Sequence, residues 1–136
     1  MERSSLSDEE REHHNRISRD IIDSAIKVHR LLGPGLLESA YEACLEHELK
    51  RRQHKVLRQV VLPVTFEGMK VDLGYRIDLI IDDKVLVELK ACEVIHPIYK
   101  AQLTSYLRLS GRHLGLLINF HVPMLKDGIV RQVNSF

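Results

Sequence analysis

The chain has 136 residues, which is the length of one domain with a single core, and 44% hydrophobic with 29% charged residues is typical of a soluble globular protein. No apolar run is long enough to cross a bilayer, so we expect no membrane partner. With a formal net charge of only +1, the chain has no overall basic character that would attract nucleic acid.

The cysteines and histidines point to no disulfide framework and no zinc site. Cys44 and Cys92 form no CxxC pair, so we expect a reduced, cytoplasmic environment. The polar start of the chain lacks the apolar stretch of a secretory signal, and we expect none. The eight histidines are scattered rather than set at the spacing of zinc ligands.

The first part of the chain predicts two helices after a leader. Residues 1–15 are polar and are expected to form a loose leader, with a single domain over 16–136. Apolar residues recur at helical spacing from Ile17 to Leu32, and Gly33-Pro34-Gly35 ends that helix. The second helix is expected to bury a stripe formed by Leu36, Leu37, Ala40, Tyr41, Cys44, Leu45 and Leu49.

The remainder predicts strands interrupted by one helix. The order along the chain is α, α, β, β, β, α, β, β, which is an α/β fold. Three strands are expected over 56–66, 70–81 and 84–91. A third helix is expected over 98–109, and two further strands over 114–120 and 129–133. Turns are expected at 67–68 and 127–128, and strand 114–120 is apolar enough to be buried on both faces.

Residues 75–81 and 85–90 form a hairpin around a three-residue loop. Side chains alternate along a strand, so the apolar residues share one face. The matching of these faces sets the register and places Asp78 opposite Glu88, with Lys90 on the same face one pleat beyond. The apolar face of the first strand consists of Ile77, Leu79 and Ile81, and that of the second consists of Val85, Val87 and Leu89. In this register Ile81 lies opposite Val85 and Leu79 lies opposite Val87.

Two carboxylates opposite each other repel, so the pair needs a compensating partner. A proton, a lysine or a divalent metal could each provide it. Mg2+ prefers carboxylate and carbonyl oxygens, and Asp78, Glu88 and the carbonyl between Glu88 and Lys90 are such donors. The alternative is a solvated sheet edge with ordinary surface charge.

Glu38 is a third candidate carboxylate, on the second helix. Gly35, Glu38 and Tyr41 are three residues apart and are expected to project from one face of that helix. Glu38 interrupts an apolar stripe, and a carboxylate is seldom buried unless it is paired or binds a metal. Alternatively, Glu38 favours the positive end of its helix.

Three further features are weaker signals. Gln102 and Tyr106 share a face of the third helix, where they could position a water, a phosphate or a base, or form an ordinary half-buried face. His29 could extend the cluster, although a core histidine is the favoured interpretation. The cationic run 50–55 with Arg58 indicates a solvated helix end or a phosphate contact.

Several of these segments together resemble a known family. Residues 35–41 (GLLESAY) match the signature of the GxxExxY proteins, and 101–107 and 114–120 resemble that family's later blocks. The similarity extends over about residues 17–133. That family is grouped with the PD-(D/E)xK nuclease-like superfamily, whose αβββαβ core has a central mixed sheet flanked by helices.

The resemblance implies a metal-dependent nuclease that hydrolyses phosphodiester bonds of nucleic acid. Asp78, Glu88 and the Leu89 carbonyl would bind Mg2+ or Mn2+, with Glu38 bound directly or through water. Lys90 would orient the attacking water or stabilise the phosphate. Ile77 stands where some members of the superfamily have a proline.

The resemblance also bears on the third helix and on the partner. Gln102 and Tyr106 resemble the QxxxY element of RecB-like members and would position the water or the strand. DNA is favoured over RNA as the partner, and the oligomeric state is left open. The alternative function is a non-catalytic module of the same fold that binds nucleic acid or protein.

Overall fold

A computed structural model describes residues 5–72 and 74–136 of the chain. The described residues form three α-helices, seven strands and one short 3-10 helix. In chain order these are α1 Asp8–Leu32, α2 Glu38–Arg51, β1 Val56–Val61, β2 Val64–Phe66, β3 Met69–Val71, β4 Arg76–Ile81, β5 Val85–Lys90, α3 Pro97–Ser110, β6 Leu114–Asn119, the 3-10 helix Leu125–Gly128, and β7 Ile129–Val133.

Five strands form a central mixed sheet in the order β1-β4-β5-β6-β7. The β5–β6 pair is parallel and the other pairs are antiparallel. Helices α1 and α2 cover one face of the sheet and α3 covers the other, because their apolar residues join two separate core clusters. The predicted α/β fold, with a central mixed sheet flanked by helices, is therefore confirmed.

The hairpin register predicted from the alternation of apolar residues is also confirmed. Ile81 pairs with Val85 and Leu79 pairs with Val87. The intervening turn is closed by a hydrogen bond of 3.0 Å from the Lys84 N–H to the Ile81 carbonyl. Strand β6 is buried along its whole length, as its uninterrupted apolar sequence predicts.

Two of the predicted strands are wrong in extent, because each is broken in the structure. Segment 56–66 forms β1 and β2 with Pro63 between them, and proline cannot donate to a sheet ladder. Segment 70–81 forms β3 and β4, and Leu73 within it lies outside the described residues. Strands β2 and β3 pair with each other as a separate two-stranded sheet.

The first helix begins earlier than its apolar periodicity predicts. Of the predicted leader, residues 1–4 lie outside the described residues, but the chain is helical from Asp8, so the expectation of a loose segment is wrong there. The Ser7 side chain accepts the Glu10 N–H at 3.1 Å, and three acidic residues occupy the first turn. The predicted boundary between residues 15 and 16 falls inside α1.

The second helix begins later than expected. Leu36 and Leu37, predicted to be buried, are 43% and 77% exposed because they precede the helix. Gly35 also lies before it, at a φ of 99° that favours glycine, so it shares no helical face with Glu38. Tyr41 is fully buried, and its hydroxyl donates to the Gly33 carbonyl at 2.6 Å.

None of the helices within residues 5–72 and 74–136 combines the length and the apolarity that a membrane-spanning helix requires.

Candidate active site

Asp78 and Glu88 converge where the β4–β5 hairpin stops pairing through its backbone. The paired residues end at Leu79 and Val87. Beyond them, Oε1 of Glu88 accepts the backbone N–H of Asp78 at 3.3 Å, and Oδ2 of Asp78 accepts the backbone N–H of Leu89 at 2.8 Å. The two carboxyl groups thus take the place of ladder bonds, at the position where the predicted register puts Asp78 opposite Glu88.

The alternation of side chains changes at this point. Ile77 was predicted to share a face with Leu79 and Ile81, and this is wrong. Ile77 packs with Leu86 in the cluster under α3, whereas Leu79 and Ile81 pack under α1 and α2. Regular alternation requires regular pairing, and the pairing is interrupted at Asp78.

Glu88 is 5% exposed, and this burial dominates its electrostatics. Burial, the negative charge of Asp78 and a hydrogen bond between the two carboxyl groups raise the pKa of Glu88 to about 9. The positive charge of Lys90 acts in the opposite direction but is outweighed. At neutral pH a proton therefore offsets the repulsion between the two carboxylates.

Lys90 is half-buried at the end of β5 and points toward α3. Its Nζ lies 4.3 Å from the centre of the Tyr99 ring, which is a cation–π contact. Tyr99, in the first turn of α3, is a site residue that the sequence reasoning missed. An aromatic residue shortly after the predicted hairpin was the available signal, but its contact depends on how α3 packs.

Glu38 lies at the first position of α2, and its Oε1 accepts the backbone N–H of Ala91 at 3.3 Å. A cavity of about 520 Å³ is lined by Glu38 together with Asp78 and Leu89. Glu38 is exposed, so the expectation that it interrupts a buried stripe is wrong. It nevertheless reaches the cavity that contains Asp78.

Two more residues of this cavity, Glu42 and Gln59, were missed. Gln59 Nε2 donates to Glu42 at 2.6 Å and to Asp78 at 3.3 Å. Glu42 follows Glu38 by one helical turn, which was a usable signal. Gln59 had none, because nothing in the sequence states which strand lies beside Asp78.

Gln102 and Tyr106 are brought together on α3, as their spacing predicts. Gln102 hydrogen-bonds to the Tyr106 hydroxyl, and burial raises the pKa of Tyr106, with the charges of Glu88 and Asp78 acting in the same direction. Both line a second cavity of about 390 Å³, which is also lined by Tyr75. They are thus near Glu88 but do not line the cavity of Asp78 and Glu38.

His29 and the cationic run belong to the scaffold. His29 is buried and its Nε2 hydrogen-bonds to the Val122 carbonyl at 2.8 Å, which confirms the core interpretation. The cationic run begins in the last turn of α2, and its arginines are engaged by carboxylates: Arg51 with Glu48, Arg52 with Asp20 and Glu48, and Arg58 with Glu42 and Glu46.

The donor set suits a hard divalent cation, although it is small. Within residues 5–72 and 74–136 no cluster of three or more His, Cys, Asp or Glu side chains is arranged to hold a metal. Mg2+ is commonly bound by one or two carboxylates, with waters and substrate phosphates completing its shell. Asp78 and Glu88 provide two carboxylates at one point, and this fits such a site.

A mixed sheet between helices, with an Asp and a Glu-x-Lys segment meeting on one hairpin, defines an α/β domain of the nuclease type. The family model of the PD-(D/E)XK nuclease superfamily matches residues 15–132, and the chain belongs to this superfamily. No curated protein and no solved structure matches the chain significantly. Membership indicates nuclease activity and nucleic-acid binding in general, and nucleases of this superfamily usually use divalent metals.

Proposed function

We propose that this protein is a Mg2+- or Mn2+-dependent nuclease that hydrolyses phosphodiester bonds of nucleic acid at the Asp78–Glu88 pair. The observation that carries the proposal is the mutual contact of the two residues, in which each carboxyl group binds backbone of the opposite strand. We further propose that the chain is a protein of the GxxExxY type, on the basis of residues 35–41.

Asp78, Glu88 and the Leu89 carbonyl would hold the cation, and Glu38 would bind it directly or through a water. Glu38 lines the same cavity as Asp78, and the Ala91 N–H binds only its Oε1. A bound divalent cation supplies an activated water and neutralises charge that develops on the phosphate. As a ligand Glu88 would have to be deprotonated, so it would give up its proton to bind a cation.

Lys90 would place a positive charge at the scissile phosphate. The Tyr99 ring restrains its ammonium group, whose charge acts on Glu88. A restrained charge stabilises a transition state better than a mobile one, because it needs no reorganisation during the reaction. Lys90 would orient the attacking water or stabilise the phosphate.

The second cavity, which is lined by Gln102 and Tyr106 of α3, would guide the nucleic-acid strand. Its wall combines the Tyr75 ring with the amide of Gln102 and the hydroxyl of Tyr106, groups that can contact a base or a phosphate. We propose DNA rather than RNA as the substrate. Cys44 and Cys92, outside any CxxC pair, favour a reduced cytoplasmic environment for this activity.

The test is cleavage of single- and double-stranded DNA and RNA by purified protein with Mg2+ or Mn2+. We expect Glu88→Ala and Lys90→Ala each to remove most of the rate while the fold is retained. Glu9→Ala and Lys126→Ala, which make the same changes at exposed positions outside the two cavities, are the matched controls.

Two outcomes would contradict the proposal. Equal rates in the wild type, Glu88→Ala and Lys90→Ala would assign the activity to a contaminant. Failure of the folded wild type to cleave any of the four substrates with either metal would favour the non-catalytic binding module.

A further inference from the structure

Gln59 adopts an unusual backbone conformation directly beside Asp78. Strand β1 pairs with β4 in the same register before and after Gln59, so Gln59 lies opposite Asp78. Its φ is 54°, in the left-handed region that non-glycine residues rarely adopt, least of all within a strand. Asp78 is therefore flanked by a distorted position on β1 and by Glu88 on β5.

One amide nitrogen of Gln59 bridges two carboxylates. Nε2 donates to Oε1 of Glu42 at 2.6 Å and to Oδ1 of Asp78 at 3.3 Å. A glutamine amide has two N–H groups, so it can serve both acceptors at once. The amide also separates two negative groups that would otherwise face each other across the cavity.

Glu42 is a fixed anchor for this amide. It is only 6% exposed, and a buried carboxylate needs charged or hydrogen-bonding partners. Arg58 Nε donates to its second oxygen, Oε2, at 2.9 Å. Both oxygens of Glu42 are thus engaged, one by the neighbouring arginine and one by Gln59.

The consequence is that both oxygens of Asp78 are also held. Oδ2 accepts the Leu89 N–H at 2.8 Å, and Oδ1 accepts the Gln59 amide. The two donors come from the strands on either side of β4, so together they set the plane of the carboxylate. Partners of this kind orient metal ligands in proteins.

We propose that Gln59 is a positioning residue that orients the Asp78 carboxylate for a divalent cation, with Glu42 and Arg58 holding Gln59 in place. This inference rests on the proposed function, because it concerns the same metal site. The positive φ serves to aim the glutamine, since glycine or asparagine would adopt that backbone more readily but could not span the two carboxylates.

The first experiment measures Mn2+ binding by isothermal titration calorimetry on the full chain. Gln59→Met keeps the length of the side chain but removes its donors, and we expect the affinity to fall by about 10–100-fold. Gln53→Met is the matched control, because Gln53 is an exposed glutamine with a φ of 69° and lies outside the cavity. Its affinity should equal that of the wild type.

The second experiment is a crystal structure of metal-free Gln59→Met, in which we expect the Asp78 carboxylate to turn away from the Leu89 N–H. Gln59→Asn, which tolerates the backbone and keeps an amide but is one methylene shorter, should behave as Gln59→Met does. It replaces Gln59→Met in both measurements if that variant fails to fold.

The outcomes separate this inference from the proposed function. If wild-type binding depends on Asp78 but both Gln59 variants bind Mn2+ as tightly as the wild type, the role of Gln59 is overturned and the metal site stands. If Mn2+ binding by the wild type does not depend on Asp78, the proposed metal site is wrong. Whatever the calorimetry shows, an Asp78 carboxylate that keeps its position in the variant crystal would overturn the positioning role of Gln59.

Discussion

The ammonium group of Lys90 lies over the ring of Tyr99, 4.3 Å from its centre. Among the residues that the structure describes, no carboxylate forms an ion pair with Lys90, even though Lys90 is close enough to Glu88 for its charge to act on that carboxyl group. The lysine is thus held by α3 and is available to a phosphate. This relationship supports a role for Lys90 as a restrained positive charge.

Loss of the Tyr99 ring should therefore slow cleavage. A cation–π contact contributes roughly 0.5–1 kcal/mol, which corresponds to a rate lower by about 2–5-fold in Tyr99→Leu. Tyr99→Phe keeps the ring and should retain the wild-type rate. Single-turnover cleavage measures both, and equal rates in the two variants would argue against restraint of Lys90 by the ring.

Divalent cations should raise the melting temperature through Asp78. Mg2+ or Mn2+ at about 100 times its dissociation constant stabilises the folded state by ~2.7 kcal/mol. Asp78→Asn should abolish this shift in thermal denaturation, whereas Asp127→Asn, at an exposed aspartate of the 3-10 helix, should preserve it. A shift that persists in Asp78→Asn would place the cation elsewhere.

Glu88→Gln should separate metal binding from the stability of the protein without metal. Because burial raises the pKa of Glu88 to about 9, the native side chain is already neutral at pH 7, and an amide can still donate to Asp78. Below about pH 4.5, where Glu88 is protonated in the folded and in the unfolded state, we expect the free energy of unfolding without metal to change by about 1 kcal/mol or less. At pH 7 the variant should be more stable than the wild type, because it has no proton to hold, and the metal-induced shift should be lost.

The sign of the pH effect follows from the same pKa. Between the ordinary glutamate value of 4.5 and about 9, the folded state holds a proton that the unfolded state has lost, so Glu88 makes stability fall as pH rises. Glu88→Gln should flatten this slope in urea titrations across that interval. An unchanged slope would show that Glu88 ionises normally.

His54 should produce a second pH effect at the other end of the hairpin. Its ring bonds Asp82 at 2.6 Å and also Asp20 on α1. Burial disfavours the charged ring, but the hydrogen bonds and charges of Asp20 and Asp82 outweigh it and raise the pKa of His54. The charged ring ties α1 to the hairpin turn.

The contribution of His54 is complete below its unfolded pKa of about 6.5 and is lost as pH rises through the higher folded pKa. His54→Gln should therefore cost about 1 kcal/mol in acid and less at alkaline pH, measured by urea unfolding. His47→Gln, at an exposed histidine of α2, should show no such trend. A loss of unfolding free energy in His54→Gln that is independent of pH would show that the charged form of the ring does not stabilise the fold.

The starts of α1 and α2, which were predicted at the wrong residues, are explained by local features of the chain. The apolar periodicity of α1 starts at Ile17, but the helix starts at Asp8, where the Ser7 cap and an acidic first turn satisfy its N-terminus. Leu36 and Leu37 are apolar but precede α2, so they remain exposed. Periodicity locates buried faces, whereas caps and turns locate helix ends.

The sequence by itself determined the hairpin that carries Asp78, Glu88 and Lys90, because alternation of apolar residues and a short loop admit one register. Only the tertiary structure decided what surrounds it. Pairing of β1 with β4 brings Gln59 beside Asp78, and packing of α3 brings Tyr99 over Lys90. These contacts join segments that are distant in the chain. They form because of the way the helices and strands pack their apolar faces against one another, and no local sequence pattern encodes that packing.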